Sequence, residues 1–190
     1  MKTSKILLVG LGNPGQKYLK TRHNAGFIFL DNFKEEYCKK ETWKDQYLGL
    51  FINTSVEIYN QTYSLLLLKP QTFMNLSGNS VQQCIEKENL SLKNTIVFHD
   101  DIELPFGEIK WKEGGGHRGH NGLRDIIQKC GNDFYRLRIG IGKPDSIPVS
   151  EYVLSAFTDR EWEEWNALYS RGKEILFRNF FDKSLSSLRI

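Results

Sequence analysis

One stretch near the N-terminus constrains the fold more than any other part of the chain. Four apolar residues at 6–9 predict a buried β-strand. The run Gly10-Leu11-Gly12-Asn13-Pro14-Gly15 that follows predicts a turn. Asn13 lies in this turn, and His23 falls just before a predicted helix that begins near Ala25. A polar amide and a titratable ring are thereby delivered near the end of a core strand, where α/β sheets commonly place ligand sites.

The spacing Gly10-x-Gly12-x-x-Gly15 also matches the glycine fingerprint of dinucleotide-binding proteins. In that fingerprint the glycines open a helix whose N-terminus holds the pyrophosphate. Here residues 17–21 show no amphipathic period, and no second strand ends in an acidic residue that would hold a ribose. The sequence therefore disfavours a nucleotide site, and a titration with NADH would test this.

The length and the cysteines limit the class of protein. A chain of 190 residues can bury a sizeable core, so we expect residues 1–190 to form a single domain. No apolar run approaches the roughly 20 residues of a membrane helix, and the N-terminus lacks a signal-peptide pattern. Cys38, Cys84 and Cys130 are widely spaced and form no C-x-x-C pair, which predicts reduced thiols that serve in packing. These features predict a cytoplasmic protein with no membrane association.

The net charge of +3 is unevenly distributed. Residues 108–143 carry +4, because eight lysines and arginines stand there against four acidic residues, and the rest of the chain sums to −1. Such a patch is expected for a phosphate-bearing partner, although a solvated face gives the same pattern. Because side chains alternate between the two faces of a strand, Lys110 and Lys112 share one face of their predicted strand, and Arg136 and Arg138 share one face of theirs.

The remaining pattern predicts strands that alternate with helices. Helices are predicted at 25–37, after a polar loop at 71–78, and at 123–130. Strands are predicted at 43–52, 56–59, 64–68, 95–98, 109–112 and 134–141, with turns at 53–54 and 60–61 and a loop at 143–148. A C-terminal helix is predicted from Thr158, where a capping box begins, to about Phe180. The predicted fold class is α/β, a single domain with a twisted mixed β-sheet flanked by helices on both faces.

Four loops that each follow a predicted strand are richer in amides, histidines or glycines than packing requires. Their polar residues include Asn13, His23, Asn75, Asp100, His120 and Asn121. A neutral histidine can accept a proton from water while a carboxylate on its other nitrogen fixes the tautomer. Asparagine amides can donate to a developing oxyanion. No serine lies in a G-x-S-x-G motif and no cysteine neighbours a histidine in a known signature, which favours direct attack by water over covalent catalysis.

Simpler roles account for several of these residues when each is considered alone. His23 could cap a helix, Asp100 could cap the next turn, and Asn75 could form an Asx turn. The candidate metal ligands are His99, Asp100, Asp101, His117 and His120. No H-x-x-x-H pair lies on a predicted helix, and histidines separated by glycines make a poor rigid chelate, so we expect no metal.

Six blocks of sequence carry a resemblance to a known family. They are Val9-Gly-Leu-Gly-Asn-Pro-Gly15 with Tyr18, Thr21-Arg-His-Asn-Ala-Gly26, Lys69-Pro-Gln-Thr-Phe-Met-Asn-Leu-Ser-Gly78, His99-Asp100, Gly114-Gly-Gly-His with Gly119-His-Asn-Gly-Leu123, and Arg136-Leu-Arg-Ile-Gly-Ile-Gly142. On these blocks, which run in order from residue 9 to 142, the chain resembles the bacterial-type peptidyl-tRNA hydrolases. One position departs from the family pattern, because Arg118 stands where that pattern has glycine.

The resemblance implies an enzyme that hydrolyses the ester bond between peptide and tRNA in peptidyl-tRNA and so recycles tRNA from stalled or aborted translation. It implies that His23 is the general base and Asp100 its orienting partner. The implied substrate-binding residues are Asn13, Tyr18, Met74, Asn75, His120 and Asn121, and the implied contacts to tRNA phosphates are Lys110, Lys112 and Arg138. The resemblance also implies a monomer that uses no metal or organic cofactor.

Two other functions remain open from the residues themselves. A non-catalytic RNA-binding protein on the same fold would keep the basic patch and leave His23 and Asp100 without a chemical role. A metal-dependent esterase or amidase would use the histidine-rich loop. Loss of activity with retained RNA binding in a His23 variant argues against the first, and activity that survives a chelator argues against the second.

Overall fold

The computed structural model describes residues 5–182, which form one seven-stranded sheet with helices packed against it. The strands are β1 (Lys5–Gly10), β2 (Lys44–Gln46), β3 (Gly49–Ile58), β4 (Gln61–Pro70), β5 (Thr95–Asp101), β6 (Ile109–Glu113) and β7 (Tyr135–Gly140). The helices are α1 (Ala25–Tyr37), α2 (Ser77–Glu88), α3 (Asn121–Cys130), α4 (Val149–Leu154) and α5 (Asp159–Leu176), which a π-helical segment at Phe177–Phe181 extends. Short 3₁₀ turns lie at Gln16–Tyr18, Arg22–Asn24, Met74–Leu76 and Leu92–Asn94.

The strand order is β2-β3-β4-β1-β5-β7-β6. The four central strands β4, β1, β5 and β7 run parallel. The outer strands β2, β3 and β6 pair antiparallel to their neighbours. Because the carboxyl ends of parallel strands meet at one edge of a sheet, the loops that follow β1, β4 and β5 converge there.

The side chains of β1 alternate between two cores. Leu8 packs on one face of the sheet with residues of α1 and α5 such as Phe29 and Leu168. Leu7 packs on the other face with residues of α2 and α3, among them Val81. This alternation confirms the predicted mixed α/β sheet with helices on both faces.

Helix α1 approaches the sheet so closely that it requires glycine. A Cβ on Gly26 would lie 2.1 Å from the carbonyl oxygen of Phe98 in β5 and 2.6 Å from the backbone nitrogen of Leu11. A Cβ on Gly10 would lie 2.5 Å from the carbonyl oxygen of Gly26. The first glycines of the 10–15 run thus admit a helix that begins at Ala25, as predicted, and not at the glycines themselves.

The cysteines pack as predicted. Cys38 and Cys84 are buried in the two cores, Cys130 is half-buried, and all three thiols are free. Burial raises the pKa of Cys38 and of Cys130 to about 11 and that of Cys84 to about 12. Within residues 5–182, no helix combines the length and the apolar character that crossing a membrane requires.

Several details of the sequence prediction are wrong, including the unbroken strand predicted at 43–52, which is split into β2 and β3. The turn predicted at 53–54 lies inside β3, because Asn53 and Thr54 pair with Leu66 and Leu65 of β4 in an unbroken ladder. The chain turns instead at Tyr47, where the backbone is left-handed with φ of 55°. The polar loop predicted at 71–78 is also too long, since α2 already begins at Ser77. Helix α4 follows the predicted 143–148 loop and was not predicted.

Candidate active site

The loops at the carboxyl edge of the sheet bring His23 and Asp100 together. His23 lies in the 3₁₀ turn that precedes α1, and Asp100 is the penultimate residue of β5. The Nδ1 atom of His23 is 2.9 Å from Oδ1 and 3.0 Å from Oδ2 of Asp100. Both residues are buried. Since a carboxylate only accepts, Nδ1 of His23 carries the proton, and its Nε2 offers a lone pair.

His120 is the second histidine on the same carboxylate. Its Nε2 lies 3.0 Å from Oδ1 of Asp100. Its Nδ1 accepts from the backbone N–H groups of Gly122, at 3.1 Å, and Leu123, at 3.3 Å. His120 is therefore the N-cap of α3, and these contacts fix its proton on Nε2, which donates to Asp100. The rings of His23 and His120 lie 5.0 Å apart.

The charge of Asp100 tunes its histidine partner. Burial opposes protonation of His23, but the charge of Asp100 and its hydrogen bond outweigh burial and raise the pKa of His23 above its ordinary value. Burial likewise disfavours the charged form of Asp100, yet the two histidines hold its pKa well below the usual range. Asp100 is therefore ionised at neutral pH, and it stabilises an imidazolium on His23 when a proton arrives.

His99 forms the buried floor behind this pair. Its Nδ1 lies 2.7 Å from the backbone carbonyl oxygen of Asp100, and its ring meets that of His120 at a centroid distance of 5.1 Å. Burial, assisted by His120, lowers the pKa of His99 to about 3. His99 is therefore neutral at physiological pH and adds no charge to the site.

A network of amides holds the first loop in place. The Oδ1 atom of Asn13 accepts from the backbone N–H of Met74 at 2.8 Å. Asn24 accepts from the backbone N–H of Asn13 at 2.8 Å and donates from Nδ2 to the Asn13 carbonyl at 3.0 Å. The turn after β1, the 3₁₀ turn of His23 and the loop after β4 are thereby fixed to one another.

Arg22 fixes the turn of His23 from the opposite side. Its guanidinium donates to Ser155 Oγ at 2.7 Å, to the Ala156 carbonyl at 2.5 Å and to Glu161 Oε2 at 2.7 Å. The same Oε2 accepts from the backbone N–H of Thr158 at 2.7 Å, which closes the predicted capping box of α5. The start of α5 and the turn of His23 therefore share one carboxylate.

A cavity of about 290 Å³ opens beside the histidine–aspartate pair. Its volume is at the low end of the range for small-ligand sites. Six of the predicted site residues line it, namely His23, Asp100, His120, Asn121, Lys112 and Arg138. Five others, Asn13, Tyr18, Met74, Asn75 and Lys110, lie outside its lining among the described residues. Met74 is buried. A Cβ added at Gly122 would lie 2.6 Å from the Sδ atom of Met74 and 3.2 Å from Cε1 of His120, so Met74 lies close to the start of α3.

The three predicted amide and phenol contacts differ in their surroundings. Asn121 is the first residue of α3, and its Oδ1 accepts from the Arg124 guanidinium. Asn75 is exposed in the 3₁₀ turn after β4. Tyr18 is half-buried, and Lys17 Nζ lies 4.9 Å from the centre of its ring.

One wall of the cavity is cationic. Arg138 donates from Nε to Oδ2 of Asp101 at 2.7 Å. Arg136 is buried and donates to the carbonyls of Gly116, at 2.7 Å, and Gly115, at 2.5 Å. Burial and the neighbouring Arg138 lower the pKa of Arg136 to about 10. Lys112 completes the wall, since Lys112 and Arg136 are register partners in β6 and β7.

His23, Asp100 and His120 also form the candidate metal set among the described residues, with one ligand atom from each within 4.8 Å of the others. A metal on Nε2 of His120 would require the ring proton to move to Nδ1. That nitrogen accepts two backbone N–H groups, so the move would break the cap of α3. The donor set therefore suits hydrogen bonds within the triad and does not fit a resident metal.

Sequence reasoning gave Asn24 no role, placed Arg136 only in the basic patch, and considered His99 only as a candidate metal ligand. Asn24 and Arg136 act through backbone contacts, and His99 acts through packing under the triad. The sequence shows that Asn24 follows His23 and that Arg136 is one of two arginines on a strand. It does not show which backbone groups these side chains contact. The contacts arise from loops that meet only in the folded sheet.

The site is an α/β sheet with a buried histidine–aspartate pair at its carboxyl edge, beside a cationic cavity. Such an arrangement is typical of enzymes that activate water for hydrolysis. A family model described as peptidyl-tRNA hydrolase matches residues 7–187. A peptidyl-tRNA hydrolase of Geobacter sulfurreducens is 50% identical over 156 residues, which cover 82% of this chain and 78% of that protein. A peptidyl-tRNA hydrolase of Dichelobacter nodosus is 46% identical over 173 residues, which cover 90% and 89% of the two chains.

The fold agrees with solved structures that carry the same description. The crystal structure of peptidyl-tRNA hydrolase from Acinetobacter baumannii superposes with a TM-score of 0.80 at 36% sequence identity, covering 94% of this chain and 92% of that one. The chain belongs to the peptidyl-tRNA hydrolase family. The resemblance drawn from the six sequence blocks is confirmed.

Proposed function

We propose that this protein hydrolyses the ester bond between peptide and tRNA in peptidyl-tRNA, with His23 as general base and Asp100 as its orienting partner. Membership of the peptidyl-tRNA hydrolase family supports the reaction and the substrate. The buried hydrogen bond from His23 Nδ1 to Asp100 carries the assignment of the base. Its function in the cell is the recycling of tRNA from stalled or aborted translation.

The reaction begins with a water molecule held between Nε2 of His23 and the ester carbonyl carbon. Within residues 5–182, Nε2 of His23 makes no hydrogen bond, while the ring borders the cavity, so its lone pair is available to water. Nε2 takes a proton as the water oxygen bonds to the carbonyl carbon. Asp100 stabilises the resulting imidazolium.

The second half of the reaction returns the proton. The tetrahedral intermediate collapses, the bond to the 3′ oxygen of the ribose breaks, and Nε2–H of His23 protonates that oxygen. The products are a tRNA with a free 3′ hydroxyl and a peptide with a free carboxyl group, which releases its proton to solvent at neutral pH. The amides of Asn75 and Asn121 position the carbonyl and the water.

The two product halves are assigned to opposite sides of His23. The cationic wall supports placing the tRNA on the side of Lys112 and Arg138, with Lys110 further along the same strand, as contacts to phosphates. Asn13, Tyr18, Met74 and Asn75 would line the peptide side. The exposed side chains of Phe73 and Leu76 beside Met74 support an apolar peptide surface there.

Hydrolysis of an N-acetyl-aminoacyl-tRNA, compared with the free-amine aminoacyl-tRNA, tests the proposal. We expect wild type to cleave only the acylated substrate, with no effect of a chelator, and His23→Ala to lose roughly 10²- to 10⁴-fold in kcat while its tRNA affinity is retained. Arg160→Gln, an exposed change on α5 outside the cavity, is the control.

Other outcomes would point elsewhere. Binding of tRNA with cleavage of neither substrate would identify a non-catalytic RNA-binding protein. Activity that a chelator abolishes would identify a metal-dependent hydrolase. Equal activity of His23→Ala and wild type would remove His23 from the mechanism.

The chain also fits a single-domain, monomeric, cytoplasmic enzyme. One sheet with two cores spans the described residues, which supports a single domain at 1–190. Three free thiols support a reducing compartment. Sedimentation equilibrium of the full chain would test the monomer, since a mass of two chains would contradict it.

A further inference from the structure

Arg118 is a charged side chain with no structural task in the fold. It lies on the loop between β6 and α3 and borders the same cavity as His23. Within residues 5–182 its guanidinium has neither a hydrogen bond nor a carboxylate partner. Its backbone is left-handed, with φ of 46°, a conformation that arginine rarely adopts.

The loop presents Arg118 from a fixed base. Arg136 donates to the carbonyls of Gly115 and Gly116, so the loop is anchored two and three residues before Arg118. The N–H of Gly119 donates to Nδ1 of His117 at 3.1 Å across Arg118, and on the far side His120 caps α3. The strained residue is therefore held between two anchors and is not at a frayed end.

Lys112 faces the cavity beside Arg118. Lys112, Arg118, Arg136 and Arg138 all line this cavity, and Lys112 and Arg136 are register partners. Burial lowers the pKa of Lys112, and the three arginine charges lower it further against the opposing charge of Asp101. Two carboxylates border the cavity among the described residues: Asp100 bonds both histidines and Asp101 bonds Arg138. Within residues 5–182, Lys112 and Arg118 form no hydrogen bond or ion pair with either carboxylate, and Asp101 offsets the positive charges only in part. An anionic ligand would neutralise the remaining charge.

We propose that Arg118, together with Lys112, binds the phosphodiester that joins the 3′-terminal nucleoside of the tRNA to the rest of its strand. This inference rests on the proposed function, and it names the part of the substrate that contacts the cavity beside His23. The ester attacked by His23 sits on the terminal ribose, so the phosphate nearest to it in the chain is the one on that same nucleoside. A cavity of about 290 Å³ shared by His23 and Arg118 suits that short separation. Arg118 is thus a specificity-determining residue for an ester on a nucleic acid.

A comparison of three substrates tests the assignment. They are an N-acetyl-aminoacyl-tRNA, an N-acetyl-aminoacyl ester of the dinucleotide CpA, which has the proposed phosphate only, and the same ester of adenosine, which has none. For each variant, kcat/KM is divided by its value on the adenosine ester. We expect Arg118→Gln and Arg118→Gly to lower the ratio roughly three- to fivefold on both the dinucleotide and tRNA.

The variants separate the charge from the backbone. Arg118→Gly removes the left-handed strain, so its thermal midpoint should rise while the ratio falls. Arg118→Lys should retain much of the wild-type ratio, because lysine keeps the positive charge. Arg160→Gln removes one exposed charge outside the cavity and should leave every ratio unchanged.

Each outcome of this comparison supports or overturns a stated proposal. Ratios that Arg118→Gln leaves unchanged would overturn the proposal, and this includes the case in which kcat/KM falls equally on all three substrates. A loss on tRNA but not on the dinucleotide ester would place Arg118 on another phosphate and would also overturn it. Failure of wild type to cleave any of the three esters would instead contradict the proposed function itself.

Discussion

His120 donates from Nε2 to Oδ1 of Asp100 across 3.0 Å, while Nδ1 of the same ring caps helix α3. The two contacts can be separated by substitution. Asparagine retains an N-cap oxygen but is too short to reach Asp100 as well, whereas alanine loses both contacts. His120→Ala should therefore unfold with a free energy about 1 kcal/mol lower than His120→Asn, as measured in urea. Both variants should lose roughly tenfold in kcat, because a hydrogen bond to a buried carboxylate is gone. Wild-type kcat in either variant would show that His120 does not position Asp100.

Asp100→Asn should move the acid limb of the pH profile. His23 accepts a proton only when neutral, so kcat/KM of wild type falls as the pH drops through the raised pKa of His23. Without the Asp100 charge, burial alone acts on His23, and its pKa drops below the ordinary value. The limb should then shift to lower pH, with activity reduced roughly 10³- to 10⁴-fold, as when the orienting aspartate of a serine-protease triad is replaced. Rates measured from about pH 5 to 9 test this, and an acid limb that moves to higher pH would contradict it.

Lys112 and Lys110 should differ although they share one face of β6. Lys112 lines the cavity, whereas Lys110 lies outside it and Nζ is 3.3 Å from Glu108 Oε2. Lys112→Ala should raise KM for acylated tRNA and reduce the slope of log KM against log salt by about 0.7. Lys110→Ala should change both by less. Steady-state kinetics in a salt series will rank the two variants, and the reverse order would assign the phosphate contact to Lys110.

Gly26→Ala should strongly destabilise the protein. The new Cβ would meet three backbone atoms of β5 and the β1 turn, none of which can move as a side chain can. We expect a loss of at least about 3 kcal/mol in the free energy of unfolding, since the helix must leave the sheet. Gly116→Ala is the matched control, because a Cβ there would have no atom within 4 Å. Equal midpoints for the two variants would show that α1 can shift away from β5 at little cost.

The fold could be predicted where a local pattern and the tertiary structure agree. Residues 6–9 are apolar because both faces of β1 are covered, and Thr158 with Glu161 encodes the start of α5 in its own side chains. The turn at Tyr47 could not be predicted, since a bulky residue gives no signal for a left-handed backbone. The ladder of β3 with β4 keeps Asn53 and Thr54 in the strand, against their turn preference.

The site divides along a similar line. The family resemblance implied that His23 and Asp100 are partners, and both could be placed near the ends of predicted strands, which meet at one edge of a parallel sheet. The double role of His120 could not be predicted, because it depends on the distance between the start of α3 and β5. Nor could the sequence separate Lys110 from Lys112, since their difference comes from Glu108 and from the path of the glycine-rich loop.

The carboxylate of Glu161, which starts α5 and holds Arg22, has a consequence for how the protein is made. Chains emerge from the ribosome N-terminus first and fold as they emerge. His23 is synthesised early, but the residues that anchor its turn, Ser155 to Glu161, are synthesised late. Until they emerge, the turn that carries His23 lacks its contacts to Ser155 and Glu161. The order of synthesis thus leaves the turn of His23 without these anchors until residues 155–161 have been made.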